Sequence, residues 1–180
     1  SGKLTPLRKE QTMNIFYLHS DPKVCASMHT DVHSYKMINE SCQMLTAAHR
    51  ILDGDEWADE VGLVALSHPN HPSTRWARET AANYHWLWLL MCGLCEQYYI
   101  RYGSRKKQPR QHDYNKYVDL LLKLPDNIPY GNFSAPPLAM PEQYQCADPI
   151  QSYRNYYIAE KVTNPRGTYK FTEAPSWVCA

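Results

Sequence analysis

The stretch Asp31–Gln43, DVHSYKMINESCQ, decides how this chain is read. His29, His33, Lys36, Glu40 and Gln43 fall at i, i+4, i+7, i+11 and i+14, one side of a 3.6-residue repeat. Val32, Tyr35, Ile38, Cys42 and Leu45 mark a largely different side, the pattern of a core stripe. The spacing predicts an amphipathic helix from Thr30 or Asp31 to about Leu52, stopped by Asp53-Gly54-Asp55. A solvated helix face usually carries Lys and Glu alone. One that mixes histidines, a lysine, a carboxylate and an amide can hold and move protons, so it is a candidate site.

Outward from this helix, Asp21-Pro22 is a helix opening, with Asp as cap and Pro in the first turn. Asn14–Leu18 is a short apolar run, extended or strand-like. Asn70-His71-Pro72-Ser73 signals a second long helix, expected from Pro72 or Ser73 to Tyr102 with Gly103 closing it. Its apolar positions, among them Trp76, Tyr84, Leu87, Met91 and Leu94, form a broad stripe. Arg75, Glu79 and Asn83 at i, i+4 and i+8 form a polar row, with Arg78 beside it. Tyr114–Leu122 reads as a short helix. The proline-rich segment 125–141 reads as irregular chain wrapping the core, and Asp148-Pro149 opens a last helix to about Val162. The expected architecture is all-α. It is a single domain of about four main helices with long ordered loops over residues 13–180, preceded by a tag or disordered extension over 1–12.

The 180 residues suffice for one domain with a real core, and 43% hydrophobic with 21% charged residues is ordinary globular composition. A net charge of +1 is not that of a protein that coats nucleic acid non-specifically. Any such binding has to come from a local patch, of which Arg101, Arg105, Lys106, Lys107 and Arg110 form the best and Lys161, Arg166 and Lys170 a second; a solvated loop is the ordinary reading of either. The six cysteines include a Cys92-x-x-Cys95 inside an apolar helical run. That is the wrong place for a redox pair, so all six are read as reduced, in a cytosolic compartment. No apolar run reaches about 20 residues, so no membrane span is expected. Walker, G-x-G-x-x-G, G-x-S-x-G and H-E-x-x-H motifs are absent from the sequence.

If the two long helices pack antiparallel, their polar rows share a cleft. It would hold His33, Glu40 and Gln43 from one and Glu79, Asn83 and nearby His71 from the other, a set suited to general acid–base work. Buried, converging Glu40 and Glu79 would favour an enzyme, and an exposed, diverging pair a binding module. His71, at a helix start, is a candidate anion contact or a capping residue. Arg154 among Tyr153, Tyr156 and Tyr157 is a basic–aromatic set that suits bases and phosphates, or else core packing. Cys25, His29 and His33 span about 12 Å, too far for one zinc ion, but a pair such as His29 and His33 could hold one with a carboxylate from elsewhere, in a metal-dependent hydrolase. The leading reading requires neither metal nor cofactor.

The order MNIFYLHSDP, DVHSYKMINESCQML, NHPSTRWARETAANYHWLWL, LCEQYYIRYG and YRNYYIAEK resembles a group of phage proteins. Their layout is similar to pyrimidine-dimer DNA glycosylases of the phage endonuclease V type. The resemblance spans roughly Met13–Gly103 and Tyr153–Lys161. It implies an all-α fold that kinks DNA and flips a base in the cytoplasm of an infected host cell. Glu40 would match the essential acid, His71 the helix-start histidine near DNA, and Tyr153, Arg154, Tyr156 and Tyr157 the DNA-contacting C-terminal segment. In that family a free N-terminal amine attacks the sugar, whereas 12 residues precede Met13 here. The expected activity is glycosylase-like processing of a modified or damaged pyrimidine in DNA, or of a free pyrimidine nucleotide. Catalysis would fall to Glu40, His33, His71 and Glu79, and substrate contact to Gln43, Asn83, Lys36, Arg78, Tyr153, Arg154 and Tyr157. The alternative from another class is a non-catalytic phage protein that binds DNA or a host protein.

Overall fold

The computed structural model describes residues 13–179, so the extension expected over 1–12 lies outside the described residues. Among them helices dominate and no strand forms. The elements are α1 (Pro22–Ser27), α2 (Asp31–Asp53), α3 (Glu56–Glu60), α4 (Pro72–Ala77), α5 (Ala81–Arg101), α6 (Val118–Leu121) and α7 (Pro149–Tyr157). No helix among the described residues is long and apolar enough to cross a membrane.

Helix α2 starts where its caps say it should. Thr30 accepts the His33 amide at the N-terminus, and Gly54 takes a positive φ of 83° just beyond the C-terminus. Its inner face buries Met37, Ile38, Cys42, Met44 and Leu45. Val32 is only half-buried and Tyr35 is exposed, so the apolar stripe starts one turn later than its spacing suggests. Helix α5 packs antiparallel to α2. Tyr84 near its start meets His49 near the end of α2, and Arg101 at its end meets Asp31 at the start of α2. Helix α1 crosses α5 where Gly93 lies. A Cβ there would come within 2.8 Å of Ala26 Cβ and 3.3 Å of the Lys23 backbone, so only glycine allows this approach.

The helix expected over 72–102 is two helices. Thr80 leaves the helical conformation at φ −142°, ψ 154° and accepts the Asn83 amide, which starts α5 anew. The Ala81 amide donates to Pro129 O, so the wrapping segment takes up a donor exposed by the break. The polar row Arg75, Glu79, Asn83 therefore does not lie on one helix. Residues 113–117 form a 3-10 turn ahead of α6, and α7 ends in a π-helical turn, Ile158–Val162. The proline-rich segment is irregular and buries Ile128 and Met140.

Met13–Leu18 is extended and fully buried, yet pairs with no strand. Side chains take up part of its hydrogen-bonding capacity. Cys25 Sγ donates to Phe16 O, Arg154 Nε to Leu18 O, and Asn14 N to Glu40 Oε1.

One buried ion pair ties α2, α5 and the segment around Thr168 and Lys170 together. Arg101 is fully buried and donates to Asp31 Oδ1 (3.3 Å), His29 O (2.6 Å), Ser27 O (2.9 Å) and Gln97 Oε1 (3.1 Å). Asp31 Oδ2 accepts Lys170 N at 2.7 Å, and Asp31 N donates to Thr168 O. Arg101 therefore does not belong to the exposed basic patch in which its spacing groups it. Removing one partner of a buried pair strands the other charge, at a cost of about 3–5 kcal/mol. Arg101→Met is expected to lose about that much in urea unfolding, with Arg101→Met/Asp31→Asn recovering part of it. A loss under ~1 kcal/mol for the single variant would contradict this role.

Candidate functional site

Three residues of the predicted row on α2, His33, Lys36 and Glu40, stand on the side that meets the end of α7. A groove of about 620 Å³ opens here, lined by His33, Lys36 and Asn39 on one wall and by Lys161, Asn164 and Arg166 on the other, with one acid, Glu160, among them. Gly167 closes its floor. A Cβ there would lie 1.9 Å from Lys161 O, so the loop can fold onto the π turn only with glycine. That close approach keeps Lys161 and Arg166 on the same rim.

Glu40 follows Asn39, one turn beyond Lys36; it does not itself line the groove, but Lys36 and Lys161 of the lining both act on its charge. Burial raises its pKa to about 7, against the opposing pull of Lys36, the Asn14 amide and Lys161. At neutral pH the carboxyl is near its midpoint and can both take and give a proton. Lys161 Nζ lies 5.8 Å from the Phe16 ring centre and 5.3 Å from that of Tyr156, which holds its charge on this side. Asn39 Oδ1 is buried without a hydrogen-bond partner among the described residues. An acceptor in that state favours a ligand that brings an N–H.

His33 stacks on Phe16 with ring centres 4.8 Å apart, and its Nδ1 lies 2.8 Å from the Tyr157 hydroxyl. That hydroxyl oxygen already accepts Thr30 N at 2.8 Å. Its proton is thus best placed on His33 Nδ1, which leaves Nε2 as the protonated nitrogen. Burial lowers the His33 pKa to about 3, so the ring is a neutral donor and not a cation. His29, at the predicted start of the row, precedes α2 and is fully buried with Nδ1 against Cys25 O. Among the described residues no group of three or more His, Cys, Asp or Glu is arranged to hold a metal ion, so the His29/His33 pair has no third ligand. The cysteine pair Cys92/Cys95 sits in α5 with both thiols pushed up by burial, to about 11 and about 12, and is poorly suited to redox work.

The other expected residues go elsewhere. Asn83 is fully buried; it donates to Trp76 O and Ser134 Oγ and accepts Ser134 N, so it clamps the wrapping segment and is not available to orient a base. Glu79 is exposed beyond the end of α4 and lines a separate cavity of about 340 Å³ with Arg75, Trp76 and Ser134. Glu40 and Glu79 do not converge: Glu79 is exposed in its own cavity and only Glu40 is withdrawn from solvent, so the paired carboxylates expected to mark an enzyme are not formed and Glu40 would have to act alone. His71 Nδ1 accepts the Ser73 amide as the cap of the six-residue α4, a capping duty in place of the anion contact. Arg78 donates to Pro69 O and so braces the preceding loop. Tyr153 and Tyr157 are fully buried, with hydroxyls bonded to Pro137 O and to the Thr30–His33 pair. Arg154 holds Leu18 O and covers the Trp177 ring at 5.1 Å. These three act in packing, since neither a buried phenol nor a guanidinium held by main chain and ring is presented to a strand. Gln43 is half-buried on α2 beyond Glu40.

Sequence reasoning missed Asn39, and it read Lys161 and Arg166 only as part of a second basic set, not as part of this site. Asn39 was legible as the next residue to Glu40, i+3 from Lys36. The two cations reach the site only through the return of the chain after α7. Comparison with protein families, curated proteins and solved structures finds no match for this chain.

The titrations have opposite effects on stability. His29, His33 and His49 have pKa values lowered by burial to about 4, 3 and 4, from an ordinary 6.5. The unfolded chain then binds more protons below pH 6.5, so these groups remove stability as pH falls from there towards 4. Glu40 works the other way: its folded pKa lies above the unfolded one, so the folded state is penalised as pH rises from about 4.5 to 7. Glu40→Gln is therefore expected to raise the urea midpoint at pH 8 and to change it little at pH 4.5. Equal effects at both pH values would contradict the buried-carboxyl assignment.

Proposed function

We propose that this chain is a DNA base-processing enzyme, acting by glycosylase-like chemistry on a pyrimidine nucleotide, with Glu40 as the working carboxylate. The observation that carries this reading is the Glu40 carboxyl, raised to about 7 by burial and acted on by Lys36 and Lys161, which line an open groove. Lys36, Lys161 and Arg166 suit the phosphates of a nucleotide. A pyrimidine flipped out of a duplex meets the groove through its edge, where Asn39 Oδ1 accepts a ring N–H and His33 supplies a neutral N–H.

The ionised carboxyl then has two uses. It offsets positive charge that develops on the sugar as the glycosidic bond lengthens, and it takes the proton of the water that adds to the anomeric carbon. The departing base carries away the bonding electron pair. The resembled family uses a free terminal amine for the attack. In this chain the nitrogen that donates to Glu40 Oε1, Asn14 N at 3.2 Å, is a peptide amide and is not nucleophilic. Water is the nucleophile that remains.

Two variants test this on DNAs that carry damaged, modified or abasic pyrimidine sites. Glu40→Gln is expected to lower turnover about 10²–10⁴-fold while binding is kept. The wild-type rate is expected to rise with pH through an apparent pKa near 7. Lys161→Ala is expected to weaken binding and to make it less salt-dependent, by about one phosphate contact. Wild-type turnover that Glu40→Gln leaves unchanged on every substrate would refute the assignment.

A further inference from the structure

A second cavity, of about 560 Å³, opens on the other side of Tyr35, which lines both it and the groove beside Glu40. It has four aromatic rings, Tyr35, Tyr98, Tyr102 and Phe171. Tyr98 and Tyr102 lie nearly parallel, 6.0 Å between centres, and Tyr102 meets both Tyr35 and Phe171 edge-on at 5.4 and 5.2 Å. Three cations, Arg105, Lys106 and Arg110, stand around these rings and form no ion pair among the described residues. The Arg105 guanidinium rests on Phe171 at 4.7 Å. Asp113 is the one acid in the lining.

We infer that this cavity is a stacking subsite for the nucleotides of a single strand that continues, past Tyr35, into the Glu40 groove. Aromatic faces joined to unpaired cations suit bases joined to phosphates, whatever the base sequence. A single nucleotide would fill one cavity only. The shared Tyr35 wall points to a strand that occupies both, with Lys36 and Lys161 continuing the cationic track of Arg105, Lys106 and Arg110. The subsite also explains how a chain of net charge +1 could bind nucleic acid, since the charge it needs is local. The assignment to a strand rests on the function proposed above, but the binding measured does not need turnover.

The test uses fluorescence anisotropy of a labelled twelve-nucleotide thymidine strand, with thymidine monophosphate as competitor. Wild type is expected to bind the strand, with the monophosphate at least about a hundredfold weaker. Tyr102→Leu is expected to weaken strand binding about tenfold or more, as loss of a stacking platform does. Arg105→Glu, an exposed change that leaves the fold testable if the tyrosine variant unfolds, is expected to weaken binding and flatten its salt dependence. No binding of the strand, binding that neither variant weakens, or a monophosphate that competes as well as the strand would each overturn the subsite. Strand binding that depends on Tyr102 and Arg105 without turnover on any substrate would keep the subsite and refute the enzyme. Turnover that depends on Glu40 with binding indifferent to both variants would do the reverse.

Discussion

The buried Arg101–Asp31 pair is the constraint on which both candidate cavities depend. The guanidinium stands at the end of α5, the carboxylate at the start of α2, and the tail is fastened to the carboxylate through Lys170 N. Arg101 and Tyr102 are neighbours, so its position fixes the aromatic floor of one cavity. Thr168 and Lys170 follow Gly167, so the same attachment brings the Arg166 rim of the other against α2. A hydrophobic contact would tolerate sliding along the helix. A guanidinium with four acceptors does not, because any shift leaves buried charge unmatched.

Glu40 illustrates the balance that makes a carboxyl useful. Burial alone would keep it protonated, and the two lysines alone would keep it ionised. Burial has the larger effect, but Lys36, Lys161 and the Asn14 amide hold the result near neutrality. The Met13–Leu18 segment is essential to this. It is extended because its neighbours are side chains and not another strand, and it carries the Asn14 amide to Glu40 and the Phe16 ring to His33 and Lys161. His29 and His33 contribute differently: burial keeps both neutral, so they shape the site without adding charge.

Local signals in the sequence were reliable where local physics decides. The bounds of α2 follow from Thr30 and Gly54, both readable as caps, and the Glu40 face follows from helical periodicity. The split between α4 and α5 was hidden because Arg75, Glu79 and Asn83 keep helical spacing across it. What breaks the helix is Thr80 together with a main-chain bond from Ala81 N to Pro129 O, a partner far along the chain. For the same reason Asn83, Tyr153 and Tyr157 looked like site residues. Their polar groups are used up by segments whose approach no periodicity announces. The loop charges at Arg105, Lys106 and Arg110 were visible as a patch. The rings that turn the patch into a cavity come from three separate stretches of chain.

The central claim is that Glu40 titrates near neutrality in the folded protein. Carbon-13 NMR of glutamate-labelled protein reads this directly, with the Glu40 side-chain carboxyl assigned by its absence in Glu40→Gln. The account predicts a midpoint near 7 that moves higher when Lys161 is changed to alanine, because a nearby positive charge favours the ionised form. A midpoint in the ordinary carboxylate range of about 4–5, unmoved by the loss of Lys161, would contradict it.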